Sequence, residues 1–237
     1  MPTPSDSKTD SDVKSSQSHR VPGKAPGQFE RSSFKASSIR VIAYREDKVE
    51  VIESALLATA KRLESDFDVV WIDVIGVEDS NLLKEFGELF QIHPLSLEDI
   101  GSTNQRAKIE TFDTYTYCVS RMINREPELN SEQLSIFHCG KIVVTFQERE
   151  GDCLDPIRKR IGSALGFIRK RSSDYLVYAL IDSVVDHYFP ILDDIGERID
   201  QLDTYLVEDE QKFSAADYMG FVATFWRSAN GFVPIGR

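Results

Sequence analysis

The sequence lacks most of the usual handles for chemistry. Cysteine is scarce: Cys118, Cys139 and Cys153 are the three, and none forms a C-x-x-C pair. An odd set cannot pair completely, so they read as small buried thiols in a reducing compartment. His93, His138 and His187 have no metal-ligand spacing between them. H-E-x-x-H, G-x-S-x-G and Walker motifs are all missing, so no enzyme activity is expected. Positive charge is short too, with 28 Lys and Arg against 39 Asp and Glu, a net charge of −11. That argues against nucleic-acid binding, which needs Lys and Arg to displace counterions from phosphate. It favours a basic partner or a bound metal cation. No apolar run approaches the roughly 20 residues that span a bilayer. The most apolar window, 176–192, is broken by Asp182, Asp186 and His187. The N-terminus has no apolar stretch of the kind a secretory signal needs. The expectation is a soluble, cytosolic piece of chain.

What is present falls into three regions. Residues 1–37 are rich in Ser, Pro, Asp and Lys and poor in large hydrophobes. Such a tail cannot bury enough apolar surface to offset its chain entropy, so it reads as disordered. From residue 38 the pattern becomes globular. Strands are predicted at 39–44, 49–52 and 69–74, the last an apolar run suited to a buried strand. Helical spacing covers 53–64, and Asp79 caps a second helix carrying Leu82, Leu83, Phe86, Leu89 and Phe90. Strands follow at 108–112, 115–122, 132–138 and 141–147, the last two joined by a Cys139-Gly140 turn. Residues 154–161 read as a short helix with Pro156 in its first turn. Strands and helices that alternate and then give way to antiparallel strands imply a mixed sheet with helices on both faces.

From Ser173 a three-four apolar spacing runs for more than thirty residues, from Leu176 through Leu206, and predicts one long helix bent at Pro190. Its outer face is acidic. Residues 213–237 begin as a second helix that weakens towards Gly231, Pro234 and Gly236. The division is then a tail at 1–37, an α/β domain at 38–171 and a long helical hairpin at 172–237.

Three constellations carry candidate chemistry. The stretch HPLSLEDIGSTNQRAKIE, residues 93–110, places Glu98 and Asp99 side by side. Adjacent carboxylates suit a hard cation such as Mg²⁺ or Ca²⁺, which prefers oxygen ligands. They equally suit a solvated helix end. Asp182 and Asp186, four apart, share one helix face. Asp182 lies in an apolar stretch, where a carboxylate needs a cation or a hydrogen-bonding partner such as Arg or Lys. Gln105-Arg106-x-Lys108 could bind an anion or anchor the acid pair, and with no glycine-rich loop nearby the anchoring role is favoured.

These residues resemble a known family. The runs Trp71-Ile72-Asp73-Val74, Phe90 through Ile100 and Gln105-Arg106-x-Lys108-Ile109-Glu110 are similar to those of the CorA divalent-cation transporters. So are Val144-Thr145-Phe146-Gln147-Glu148, Asp155-Pro156-Ile157-Arg158 and the stretch from Asp174 to Phe189. The resemblance covers about residues 39–210. It implies a three-layer α/β/α sandwich with a mixed parallel and antiparallel sheet, followed by long protruding antiparallel helices. It implies the cytoplasmic domain of an inner-membrane, homopentameric channel for Mg²⁺, Co²⁺ and Ni²⁺. A stalk helix, two transmembrane helices and a Gly-Met-Asn pore motif would follow beyond Arg237, so membrane contact would come only through that further segment.

The resemblance further implies that Mg²⁺ held between neighbouring cytoplasmic domains keeps the channel closed, with Co²⁺ or Ca²⁺ as stand-ins. Asp99 matches the main intersubunit site, and Glu98 and Asp182 match a second site nearby. One departure is at the end of the chain, where the family's Trp-Pro-Leu-Arg is replaced by 232–237, FVPIGR. Two other identities fit less well: the related zinc-transporting branch and a free-standing metal-binding α/β domain.

Overall fold

A computed structural model describes residues 37–103, 105–124 and 130–208. Residues 1–36 of the expected tail, and the expected second arm at 213–237, lie outside them. Seven strands form one sheet in the order β2-β1-β3-β7-β6-β5-β4. They are β1 (Ser38–Arg45), β2 (Lys48–Ile52), β3 (Val69–Ile75), β4 (Lys108–Thr111), β5 (Thr116–Asn124), β6 (Asn130–Cys139) and β7 (Ile142–Gln147). Every neighbouring pair is antiparallel except β3 and β7, which run parallel at the centre with Trp71 opposite Val143 and Asp73 opposite Thr145. The mixed sheet expected from the pattern is the one observed.

The alternation along β3 builds two cores. Val70, Ile72 and Val74 point to one face, and Val69 and Trp71 to the other. Both faces are covered, so the strand reads as a nearly continuous apolar run rather than an alternating one. The first face is covered by α1 (Leu57–Leu63), α2 (Ser80–Phe90) and α3 (Pro94–Gly101), through Leu57, Leu63, Phe86, Phe90, Leu97 and Ile100. The second is covered by α4 (Asp155–Gly162) and α5 (Ser173–Asp186), through Ile157, Ile161, Leu176, Leu180 and Val184. Burying each such apolar side chain contributes about 1.5–3 kcal/mol. The result is the α/β/α sandwich.

Local chemistry sets the ends of these helices. The Asp79 carboxylate accepts from the backbone N–H groups of Asn81 and Leu82 and starts α2 as expected. Pro94 occupies the first turn of α3, where a missing N–H costs nothing, and His93 Nδ1 accepts from Leu95 N at 3.2 Å. The helix expected from residue 53 starts only at Leu57. Residues before it are tied into the sheet, with Ala55 N bonded to the Ile39 carbonyl at 2.8 Å.

One expectation is corrected. The pattern after Ser173 gives two helices, α5 and α6 (Phe189–Glu208), separated by a turn at His187 and Tyr188. Pro190 has no N–H to offer the Asp186 carbonyl, and its ring crowds that turn, so a continuous helix breaks here rather than bending. Tyr188 fastens the break to the sheet by donating its hydroxyl to the Arg121 carbonyl of β5.

Candidate functional site

Asp99 lies in the last turn of α3, near the negative end of the helix dipole, where a carboxylate is disfavoured. Its surroundings compensate. Lys108 Nζ on β4 donates to Asp99 Oδ2 at 2.6 Å and to Glu110 Oε1 at 3.0 Å. Lys108 and Glu110 are two apart on one strand, so both face α3, while Ile109 between them is exposed. The ammonium also stands 5.7 Å from the centre of the Tyr117 ring. Burial pulls the Lys108 ammonium down. The hydrogen bonds and negative charge of Asp99 and Glu110 outweigh that, and its pKa is raised. The chain leaving α3 is held from the same face. Gln133 Nε2 donates to the Asp99 carbonyl at 2.9 Å, and Gln133 Oε1 accepts from Gln105 N at 2.9 Å. Of the Glu98–Asp99 pair Lys108 thus holds Asp99, together with Glu110, whereas Arg106 is exposed.

Glu98 is partly buried beside Asp99 on α3. Asp182 sits on α5, on the opposite face of the sheet from α3. One chain therefore does not bring Glu98 and Asp182 together. Nor is Asp182 enclosed in the core as the apolar stretch around it suggested. It is partly exposed and lines a cleft of about 230 Å³ with Arg160, Ser183, Asp186, His187 and Pro190. Its carboxylate pushes up the pKa of the exposed phenol of Tyr178, one turn earlier. Among the described residues, no three His, Cys, Asp or Glu side chains gather closely enough to hold an ion.

The best-built polar cluster has no counterpart among the sequence candidates. Asp73, on the buried strand β3, accepts from Arg158 Nη2 at 2.6 Å, from Thr145 Oγ1 at 2.8 Å and from Gln147 Nε2 at 3.1 Å. Arg158 also reaches Asp152, with contacts of 2.5 and 2.7 Å, and Asp155 at 2.8 Å. Its guanidinium lies 5.4 Å from the centre of the Trp71 ring. Trp71 in turn donates to Thr145. The signal was a lone acid inside an apolar strand, but its cation lies 85 positions away. Glu132 is a second such case. It is buried on β6 and accepts from the backbone N–H groups of Glu148 and Arg149 at 2.7 and 3.0 Å.

Comparison with known proteins places this geometry. A family model described as CorA-like Mg²⁺ transporter protein matches residues 66–221. The chain belongs to the CorA-like family of Mg²⁺ transporters. A cobalt/magnesium transport protein of Thermotoga maritima is 39% identical over 172 residues, which is 71% of this chain and 48% of that protein. A putative metal ion transporter of Bacillus subtilis is 32% identical over 142 residues, 59% of this chain and 43% of that one. The chain thus spans about half the length of these curated relatives.

Among solved structures, the soluble domain of CorA from Methanocaldococcus jannaschii superposes with a TM-score of 0.55 at 16% identity, covering 71% of this chain and 64% of that one. The cytoplasmic domain of ZntB from Vibrio parahaemolyticus superposes at 0.59 and 11% identity, covering 84% and 74%. The CorA-family soluble-domain fold is therefore established, and the fold is common to both branches. No helix among the described residues is long and apolar enough to cross a membrane.

Proposed function

We propose that this chain is the cytoplasmic, Mg²⁺-sensing domain of a CorA-type divalent-cation transporter that carries Mg²⁺, Co²⁺ and Ni²⁺ and assembles as a homopentamer. Membership in the family supports the transporter identity. The observation that carries the sensing role is Asp99, held partly exposed at the end of α3 with a second carboxylate, Glu110, across the same ammonium. The donors fit the ion. They are hard carboxylate oxygens, which suit Mg²⁺, rather than the Cys and His nitrogen and sulfur donors typical of zinc. Mg²⁺ keeps several of its waters and needs few protein ligands, so a site incomplete within one chain suits an ion shared with a neighbouring subunit.

In this reading Asp99 anchors the main regulatory ion. Glu98 and Asp182, on opposite faces of one chain, contribute to a second site only when two subunits meet. Carboxylates at a subunit boundary repel when empty and are bridged when a divalent ion enters. Falling Mg²⁺ would then release the subunits and favour the open pore, a population shift by differential binding. Co²⁺ or Ca²⁺ would stand in for Mg²⁺ with altered affinity.

The test is transport by the complete protein in vesicles with controlled internal Mg²⁺. Asp99→Ala is expected to leave flux high at millimolar internal Mg²⁺, where the unaltered protein shuts. Glu98→Ala combined with Asp182→Ala is expected to shift the same inhibition to higher Mg²⁺. Inhibition unchanged in Asp99→Ala would overturn the sensing role. Uptake of Zn²⁺ in preference to Mg²⁺ would overturn the ion assignment.

A further inference from the structure

We infer that Lys108 is a tethered occupant of the Asp99 site: its ammonium stands between Asp99 and Glu110 where a divalent cation would be held, and must leave before the ion is bound. The inference rests on the sensing role proposed for Asp99 and adds two residues to it. Lys108 becomes the group that sets affinity, and Glu110 becomes the second donor from the same chain. Three observations carry it.

First, both carboxylates are within hydrogen-bond distance of one Nζ, at 2.6 and 3.0 Å, so they face a common point already suited to a cation. Second, the ammonium is not locked in the core. Among the described residues β4 is the last strand of the sheet, paired only with β5, and the Lys108 side chain keeps 28% of its exposure. A compact charge on a flexible four-carbon stem can swing to water. Third, the ammonium keeps a foothold on the Tyr117 ring, which does not compete for oxygen ligands. Any metal ion at Asp99 must displace the ammonium from its 2.6 Å contact, which weakens binding. In return, the two carboxylates stay together when the ion is absent, so the empty site keeps its shape.

The experiment is Mg²⁺ titration calorimetry on the complete, assembled protein, in which a neighbouring subunit can complete the site. Lys108→Met is expected to bind Mg²⁺ up to about fivefold more tightly, the most that a partly exposed ion pair can withhold from the ion. Lys108→Arg, which keeps the charge, is expected to stay near the unaltered affinity. Adding Glu110→Gln to Lys108→Met should cancel the gain. Arg171→Gln serves as the control for bulk charge. Arg171 is exposed just before α5, on the other face, and forms no ion pair among the described residues.

An equal gain from Arg171→Gln, or none from Lys108→Met, overturns the inference while leaving the Asp99 reading intact. Unchanged Mg²⁺ affinity in Asp99→Ala overturns that reading and the inference with it. Should Lys108→Met not fold, the side-chain ¹⁵N signal of Lys108 in the unaltered chain decides. It should move towards that of a free lysine as Mg²⁺ saturates, and a signal that stays put refutes displacement.

Discussion

Each face of the sheet holds a cation among carboxylates, and burial gives the two clusters opposite properties. On the second face Arg158 joins Asp73 and Asp152, and on the first Lys108 joins Asp99 and Glu110. The Arg158 side chain keeps 14% of its exposure, and those of Asp73 and Asp152 keep 0 and 5%. Lys108 keeps 28%, and Glu110 keeps 42%. A planar guanidinium fork that satisfies several fixed acceptors at once makes a rivet. An ammonium at a sheet edge, free to trade carboxylates for water, makes a latch. The same kind of ion pairing therefore serves the fold on one side and exchange with solvent on the other.

Arg158→Met breaks the rivet and should give the largest effect. It leaves Asp73 and Asp152 buried without a cation, which costs about 3–5 kcal/mol. A fall in the urea midpoint measures it. Combining Arg158→Met with Asp73→Asn should cost clearly less than the two single losses together, because the second change removes a charge the first one stranded. Strict additivity would mean that the pair is not one unit.

Acid should weaken the rivet next. Burial pushes the Asp152 carboxyl up, but Arg158, with hydrogen bonds from Gln147 and the Leu154 N–H, holds it below its ordinary range. A lowered folded pKa contributes stability that is present above the unfolded value, near 4, and is lost as pH falls through the folded value. Asp73 titrates in the opposite sense, since burial raises it against the pull of Arg158 and its protonation relieves a buried charge. Asp155 adds a third, exposed carboxylate to the same guanidinium. Asp152→Asn should therefore cost about 2 kcal/mol at pH 7. That gap should begin to narrow below about pH 4, while both proteins remain folded. Denaturant melts at pH 7 and pH 3 would show it.

The rivet and the latch were not equally legible in the sequence. The sheet was readable, because buried strands such as β3 and β7 announce themselves as short β-branched runs and the Cys139-Gly140 turn marks the hairpin of β6 and β7. Glycine is well placed there, since Gly140 has a φ of +55°. Asp99 and Lys108 lie nine residues apart within one motif, so their pairing was within reach of local reasoning. Asp73 and Arg158 are joined only by the parallel crossover, and a contact of that kind leaves no local trace. The α5–α6 break was misread for a related reason. Apolar spacing continues across it, and only the backbone chemistry of Pro190 interrupts the helix. Asp182 looked buried because its neighbours in sequence are apolar, yet on a helix the exposed face depends on what packs against it.

The latch should give the smallest change in stability and is the sharpest check on the comparison. Partly exposed ion pairs are worth about 0–1 kcal/mol, and salt screens them. Without added divalent ions, Lys108→Met should shift stability by less than about 1 kcal/mol. The coupling between Lys108→Met and Glu110→Gln in a double-mutant cycle should be about 0.5 kcal/mol at low salt and should vanish near 1 M NaCl. The Arg158–Asp152 coupling, shielded from ions by the core, should persist under the same conditions. Equal salt sensitivity at the two sites would mean that burial does not separate them. A Lys108 coupling as large as that of Arg158 would make it a second rivet, too firmly held to be exchanged for an ion.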